Sequence, residues 1–212
     1  MSDDERAEVG VGPHPLPWPE DPRYDADLLR DGDRRNVVDR YRYWTVEAIV
    51  DDLKTRRHGF HVAIENWEHD FNIGTVVRNA NAFLADAVHI IGPHRWDRRG
   101  AMSTHRYLDI RHHPDVASFV AWTHDDDLRI VAIDNIERAV PIERTLLPER
   151  CVMLFGQEGP GLSNAAVEAA DLVCAITQYG STRSLNAGVA SGIAMFAWVT
   201  QHATDDSRSA RS

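Results

Sequence analysis

CVMLFGQEGPGLSNAAVEAADLVCAITQYGSTRSLNAGVASGIAMFAW, residues 151–198, decides the fold. Cys151 to Phe155 is a short apolar run, the pattern of a buried strand. It breaks into Gly156-Gln157-Glu158-Gly159-Pro160-Gly161, a loop that regular structure cannot easily span. Ser163 stands where an N-cap belongs, ahead of the helix-forming run Asn164 to Ala170. Leu172 to Ile176 is strand-like again, and Thr177 to Arg183 is a second loop of small residues. Ser184 opens a long helix rich in Ala, Gly and Met. The stretch is therefore two strand–loop–helix units in succession. In an open parallel sheet both loops leave the carboxyl ends of their strands, where such folds bind ligands. Each loop carries few large side chains, so backbone N–H and C=O groups can approach a ligand closely. Glu158 in one, and Ser184 and Asn186 after the other, add polar groups.

Working outward, the chain has 212 residues, enough for one sizeable domain and an extension. An apolar content of 43% is ordinary for a globular protein. The net charge of -10 argues against sequence-blind binding of nucleic acid over the whole surface, though a local basic patch is compatible with it. Lys54 is the only lysine, so the positive charge is almost all arginine, whose planar fork pairs bidentately with phosphate. Cys151 and Cys174 both fall in strand-like runs and read as buried thiols rather than a disulfide. His112-His113 lacks metal-ligand spacing, and no metal is expected. The N-terminus has no secretory pattern, and the apolar stretch Ala187 to Val199 is too short to span a bilayer. The expectation is a cytoplasmic protein without a membrane segment.

Upstream, residues 1–22 are acidic and proline-rich, a flexible tail or a strap over the surface. Residues 23–59 form a helical N-terminal extension, with apolar members such as Leu28, Leu29, Val46, Ile49, Val50 and Leu53, and Gly59 as its stop. Within it Arg40, Tyr41, Arg42, Tyr43 and Trp44 mix charge with rings, which suits either RNA binding or amphipathic packing. The main domain covers residues 60–203, and residues 204–212 form a disordered tail. Strands are predicted at Phe60 to Ile64, Ala87 to Ile91, Leu108 to Arg111 and Leu128 to Ile133, with helices at Asn72 to Ala85 and Pro114 to Trp122. This alternation is that of a parallel α/β sheet covered by helices on both faces. The basic loop Gly92 to Gly100, with Arg95, Arg98 and Arg99, is a candidate RNA-backbone contact.

Between the first strand and its helix lies Asn72-Ile73-Gly74-Thr75-Val76-Val77-Arg78. Gly74 and Arg78 are four apart and share a helix face, and Asn72 sits near the helix start, where it can cap or reach a substrate. Three motifs then occur in order: Asn72-x-Gly74-x-x-x-Arg78, Phe155-Gly156-x-Glu158-x-x-Gly161-Leu162-Ser163, and Ser184-Leu185-Asn186 before a small-residue helix. Together they resemble the SpoU (TrmH-like) branch of the SPOUT methyltransferases, from about Phe60 to Ala203. The resemblance implies an RNA ribose 2′-O-methyltransferase that uses S-adenosyl-L-methionine (AdoMet). It also implies a C-terminal trefoil knot, a homodimer, and tRNA or rRNA as substrate. Arg78 would activate the hydroxyl, with Asn72, Glu158, Ser184 and Asn186 positioning it, the substrate and the loops. Ile133, Gly156, Ile176 and Leu185 would hold the cofactor. Two other classes are weighed against this. The absence of G-x-G-x-x-G after the first strand speaks against a dinucleotide enzyme. The intact Arg78, Glu158, Ser184 and Asn186 speak against a catalytically inactive RNA-binding protein of the same fold.

Overall fold

Among the described residues seven short runs, most of them apolar, become the strands of one sheet. The computed structural model describes residues 10–67, 72–92, 96–157 and 159–203. Glu158, His94, Arg95 and the outer parts of both tails, 1–9 and 204–212, lie outside these residues. The strands are β1 (Phe60–Glu65), β2 (Ala87–Ile91), β3 (Asp109–His113), β4 (Arg129–Ile133), β5 (Val140–Pro141), β6 (Cys151–Phe155) and β7 (Leu172–Ala175). Their order is β3-β2-β1-β6-β4-β7-β5, and every pairing is parallel. β1, β2 and β6 are buried along their whole length, as central strands covered on both faces must be.

The strand period of two divides the core into two layers. On one face Phe60, Val62, Ile64, Met153 and Phe155 pack under α3 (Asn72–Ala82) and α6 (Ala187–His202), meeting Ile73, Val76, Val77, Ala194, Met195 and Trp198. On the other face Ala63, Ile130, Ala132, Val152 and Leu154 pack under α4 (Val116–Asp125) and α5 (Asn164–Ala169), meeting Val116, Phe119 and Ala166. Burying a residue such as Phe60 contributes roughly 2–3 kcal/mol, so each layer is a large share of the fold's stability. Burial pushes the Cys151 thiol up to about 12 and the Cys174 thiol up to about 11, and both cysteines are free. They behave as small apolar groups.

The chain divides into two compact units, residues 1–56 and 57–212. The first contains α1 (Ala26–Asp31), capped by the Asp25 carboxylate, and α2 (Val46–Lys54), capped by the Thr45 hydroxyl. α2 ends at Lys54, short of the predicted stop at Gly59. From Gly10 the proline-rich stretch takes the form of a strap: Val11 bridges Asp33, and the Tyr43 hydroxyl donates to the Gly12 carbonyl at 2.6 Å. The aromatic–arginine mixture is turned to internal use. Tyr41 is buried, Arg40 and Arg56 pair with Asp52, and Arg42 donates to the Arg35 carbonyl. Arg23 lies over the Trp44 ring at 4.4 Å.

Several elements of the second unit differ from expectation: α3 ends at Ala82 and not Ala85, α4 runs Val116–Asp125 and not Pro114 to Trp122, β3 runs Asp109–His113 and not Leu108 to Arg111, and β5 has no counterpart among the predicted strands. β5 has only two residues and carries no readable alternation. α6 begins at Ala187, not Ser184, because Asn186 is its N-cap and accepts from the Val189 amide at 3.2 Å.

Candidate active site

Neighbouring strands β6, β4 and β7 send their following loops to the same edge of the sheet, and a cavity of about 300 Å³ opens there. It is lined by Ile133, Gly156, Ile176 and Leu185, with Ser184 and Asn186 at the same wall. Asn72 and Arg78 do not line it. Asn72 is nonetheless tied to it, since the Asn186 side-chain Nδ2 donates to the Asn72 side-chain Oδ1 at 2.8 Å. The first and third motifs, 114 residues apart, thus meet through one hydrogen bond. Glu158 lies outside the described residues.

The β6–α5 loop is closed on itself. The Gln157 and Gly161 backbones exchange two hydrogen bonds of 3.2 Å. A Cβ on Gly156 would stand 2.2 Å from the Gly161 carbonyl carbon and 2.3 Å from the Leu162 nitrogen. Glycine at 156 is therefore required by the loop's own crossing, before any ligand arrives. Gly161 has φ +74, a left-handed conformation that glycine alone adopts freely. Ser163 caps α5 by accepting from the Ala166 amide.

Four residues that sequence reasoning passed over hold this frame. Glu65, fully buried at the end of β1, accepts from the Ser163 amide at 2.7 Å and from the Trp67 indole at 3.0 Å. Asp134, just after β4, lines the cavity and accepts from the Leu162 amide at 3.1 Å. Asn135 donates to the Arg183 carbonyl at 3.0 Å and so fastens the loop between β7 and α6. Asn79 donates to the Gly188 carbonyl and the Ser191 hydroxyl at 2.8 and 3.0 Å, joining α3 to α6. For Glu65, Asp134 and Asn135 the readable signal is position, a polar residue at the carboxyl end of an apolar strand; Asn79, inside α3, carries no such signal.

α3 has two working stripes. Thr75 and Asn79 face α6, where a Cβ on Gly188 would come within 2.7 Å of the Thr75 methyl. Gly74 faces the turn at residues 98–101 so closely that a Cβ would lie 2.6 Å from the Gly100 backbone. Arg78 is one turn after Gly74, exposed, and makes no hydrogen bond or ion pair with any described residue. Its guanidinium is available to an anionic or oxygen-rich ligand. The predicted basic loop is less uniform than its composition: Asp97 pairs with Arg99 at 2.8 Å, while Arg98 has no such partner.

Among the described residues no cluster of His, Cys, Asp and Glu could hold a metal, and no helix is long and apolar enough to cross a membrane. Asp134 is the one charged residue among the described residues lining the cavity.

Known proteins share both the sequence pattern and the fold. The tRNA (guanosine(18)-2′-O)-methyltransferase of Escherichia coli (strain K12) is 24% identical over 151 residues. The match takes in 70% of this chain and 66% of that enzyme, just under two thirds of its length. The A. aeolicus TrmH/SpoU tRNA modifying enzyme superposes with a TM-score of 0.66 at 20% identity, over 77% of this chain and 84% of that one. The SpoU methyltransferase AviRb from Streptomyces viridochromogenes, in complex with the cofactor AdoMet, gives 0.63 at 24% identity, over 71% and 60%. At these identities the superpositions establish the fold. The model of the SpoU rRNA Methylase family matches residues 59–196, from the start of β1 through most of α6. With all three motifs on that span and gathered at one sheet edge, the chain belongs to the SpoU rRNA methylase family.

Proposed function

We propose that this protein transfers a methyl group from AdoMet to a ribose 2′-hydroxyl of tRNA or rRNA, in the cytoplasm. The observation that carries the reading is the cavity at the ends of β4, β6 and β7, where Ile133, Gly156, Ile176 and Leu185 converge beside the Asn186–Asn72 link. The cavity suits the cofactor. Its apolar side chains can flank an adenine, its exposed loop backbone can pair with polar edges, and Asp134 is its one described charge. A sulfonium is cationic, so a wall with a carboxylate and no arginine favours it. When bound, AdoMet supplies the methyl group. Every other requirement falls on the chain.

The attacking hydroxyl oxygen must lie in line with the bond that breaks, so much of the acceleration is orientation. The Asn72–Asn186 link and the Asn79 contacts hold α3 against α6 and fix where Arg78 is presented. A guanidinium stays protonated, so Arg78 serves as a cation, not as a base. It binds the ribose–phosphate and stabilises charge developing on the oxygen, with the proton passing to phosphate or water. Ser184, exposed beside the cavity, and Glu158 position the substrate and the loops.

A homodimer with a knotted C-terminal half completes the reading. One side of α6 is buried, with Ala194, Met195 and Trp198 in the core. The opposite side leaves Val189, Ile193 and Phe196 exposed by 52%, 38% and 59% at helical spacing. Such a stripe is covered most simply by its own copy about a two-fold axis. The test is incubation of the protein with methyl-labelled AdoMet and tRNA or rRNA, followed by mass-spectrometric mapping. Label on a ribose 2′-oxygen is expected. RNA retention with no methyl transfer would replace the proposal with an inactive RNA-binding protein, and label on a base would overturn the 2′-O assignment.

A further inference from the structure

Arginine in this protein is mostly partnered. Arg23, Arg30, Arg35, Arg40, Arg56, Arg111 and Arg129 all pair with aspartates. Against that background the segment 96–107 stands out. It consists of two short 3-10 turns, Arg98–Ala101 and Thr104–Tyr107, packed on α3. Arg98 and Arg106 are exposed, and neither makes a hydrogen bond or ion pair with any described residue. Both act on one point: His105, in the second turn, is held below its usual range first by burial and then by the charges of Arg98 and Arg106. Two cations close enough to depress one imidazole form an arrangement that carries an electrostatic cost.

The segment is also held rigidly. Gly100 is pressed against Gly74 with no room for a Cβ, and the Thr104 hydroxyl donates to the Ala101 carbonyl at 2.6 Å. Between the turns Met102 and Ser103 both take left-handed φ values, 47° and 66°, which L residues adopt reluctantly. Non-glycine residues in that region concentrate where structure serves a site. The Gly74 contact orients the whole. Gly74 and Arg78 lie on the same stripe of α3, so the stripe that meets Gly100 carries Arg78 one turn further on.

We propose that Arg98 and Arg106, presented by this strained double turn on the Arg78 side of α3, form a phosphodiester-binding surface for the RNA substrate. The inference rests on the RNA methyltransferase reading and names the residues that take the backbone. Planar guanidinium forks pair bidentately with phosphate oxygens. Each phosphate neutralised releases counterions, so each contact adds to the salt dependence of binding. Arg99, taken by Asp97, contributes little, and Arg106 lies outside the loop that composition alone marks as basic.

The experiment measures retention of unfractionated bacterial tRNA and of rRNA fragments by the full-length protein between about 50 and about 200 mM salt. Arg98→Gln and Arg106→Gln should each reduce the slope of log affinity against log salt by about one, and the double variant by about two. AdoMet affinity should be unchanged in all three. Arg144→Gln is the control, since Arg144 is an exposed arginine that makes no ion pair with any described residue and stands at a different turn, Ile142–Arg144. Its slope should match the wild type. A second readout is the His105 imidazole resonance, whose pKa should rise when tRNA is added, because phosphate offsets the two arginines. Unchanged slopes in the double variant, or an equal drop in Arg144→Gln, would overturn the assignment while leaving RNA methylation standing. A wild-type protein that retains no RNA would overturn the functional reading and this inference together.

Discussion

Acid should destabilise this protein through three buried histidines. His61, His89 and His113 sit on neighbouring strands β1, β2 and β3 and are 6%, 0% and 8% exposed. Their rings form a chain: His61 Nδ1 to His89 Nε2 at 3.1 Å, and His89 Nδ1 to His113 Nε2 at 2.9 Å. The far nitrogen of His61 faces the Asp86 carboxylate at 3.4 Å. One protonation pattern satisfies all of these contacts. Each ring is neutral and carries its proton on Nε2, so every bond donates in the direction of Asp86. Trp122 covers the chain, its ring centre 4.2 Å from that of His89, and Arg111 lies over Trp122 at 5.2 Å. A second proton on His89 would have no acceptor. Burial, then the neighbouring His61, His113 and Arg111, lowers His89 from 6.5 to about 2. His113 is lowered first by burial, then by Arg111 and His112. His61 is lowered by burial against the opposing pull of Asp86.

The unfolded chain binds these protons near the ordinary histidine value while the folded protein does not, so stability falls as pH drops below it. For His89 alone, a folded value of about 2 against 6.5 unfolded removes about 1.7 kcal/mol between pH of about 6.5 and about 5. Carboxylates lowered by arginine partners, such as Asp97, act in the same sense but only as pH approaches their unfolded value of about 3.9. The interval above about pH 5 therefore isolates the histidines. Urea unfolding of wild type and His89→Gln at several pH values is the assay. The variant should be less stable at neutral pH yet lose about 1.7 kcal/mol less on acidification to about pH 5. Equal slopes for the two proteins would refute the argument. So would nitrogen chemical shifts showing Nδ1–H rings in the native state.

Arg78→Ala should keep the fold and AdoMet affinity and lose roughly a hundredfold or more in turnover, with Arg78→Lys recovering little, as read by methyl incorporation into RNA and by calorimetric AdoMet titration. Gly156→Ala places a Cβ 2.2 Å from the Gly161 backbone, so thermal unfolding should show lost stability together with lost AdoMet binding. Phe196→Asp puts a charge on the exposed stripe of α6, and light scattering should report the mass of one 23.9 kDa chain, against two for the wild type if the proposed homodimer forms.

How far the sequence could be read depended on whether a feature was local. β2 and β6 match their predicted limits because each is a continuous apolar run between breakers. The sequence places the start of α6 too early because Ser184 and Asn186 are both competent caps, and a contact such as that with the Asn72 side chain, 114 residues away, cannot be read locally. Gly156 is read from the sequence as a place for close backbone approach to a ligand, and the fold adds a demand of its own that no local pattern shows: the Gly161 backbone leaves no room for a Cβ there. The histidine chain was beyond reach. Its members are 28 and 24 residues apart, a spacing that means nothing until parallel register sets β1, β2 and β3 side by side.

The same limit explains the charged residues. A count of arginines cannot distinguish those neutralised by a neighbour from those left open, because pairing is decided by geometry. In the N-terminal unit Asp33 and Asp52 draw in Arg35, Arg40 and Arg56, and the segment that looked suited to RNA is internally satisfied. Around α3 no described residue pairs with Arg78, Arg98 or Arg106. A protein with net charge -10 repels an RNA at long range, so productive approach must be carried by the few cations left open. Three of these, Arg78, Arg98 and Arg106, lie on α3 and the turns packed against it, which gives the encounter a direction. On the proposed reading the RNA backbone is attracted at the helix that carries Arg78, and a ribose held there is presented to the α3–α6 junction that the Asn72–Asn186 bond joins to the cavity wall.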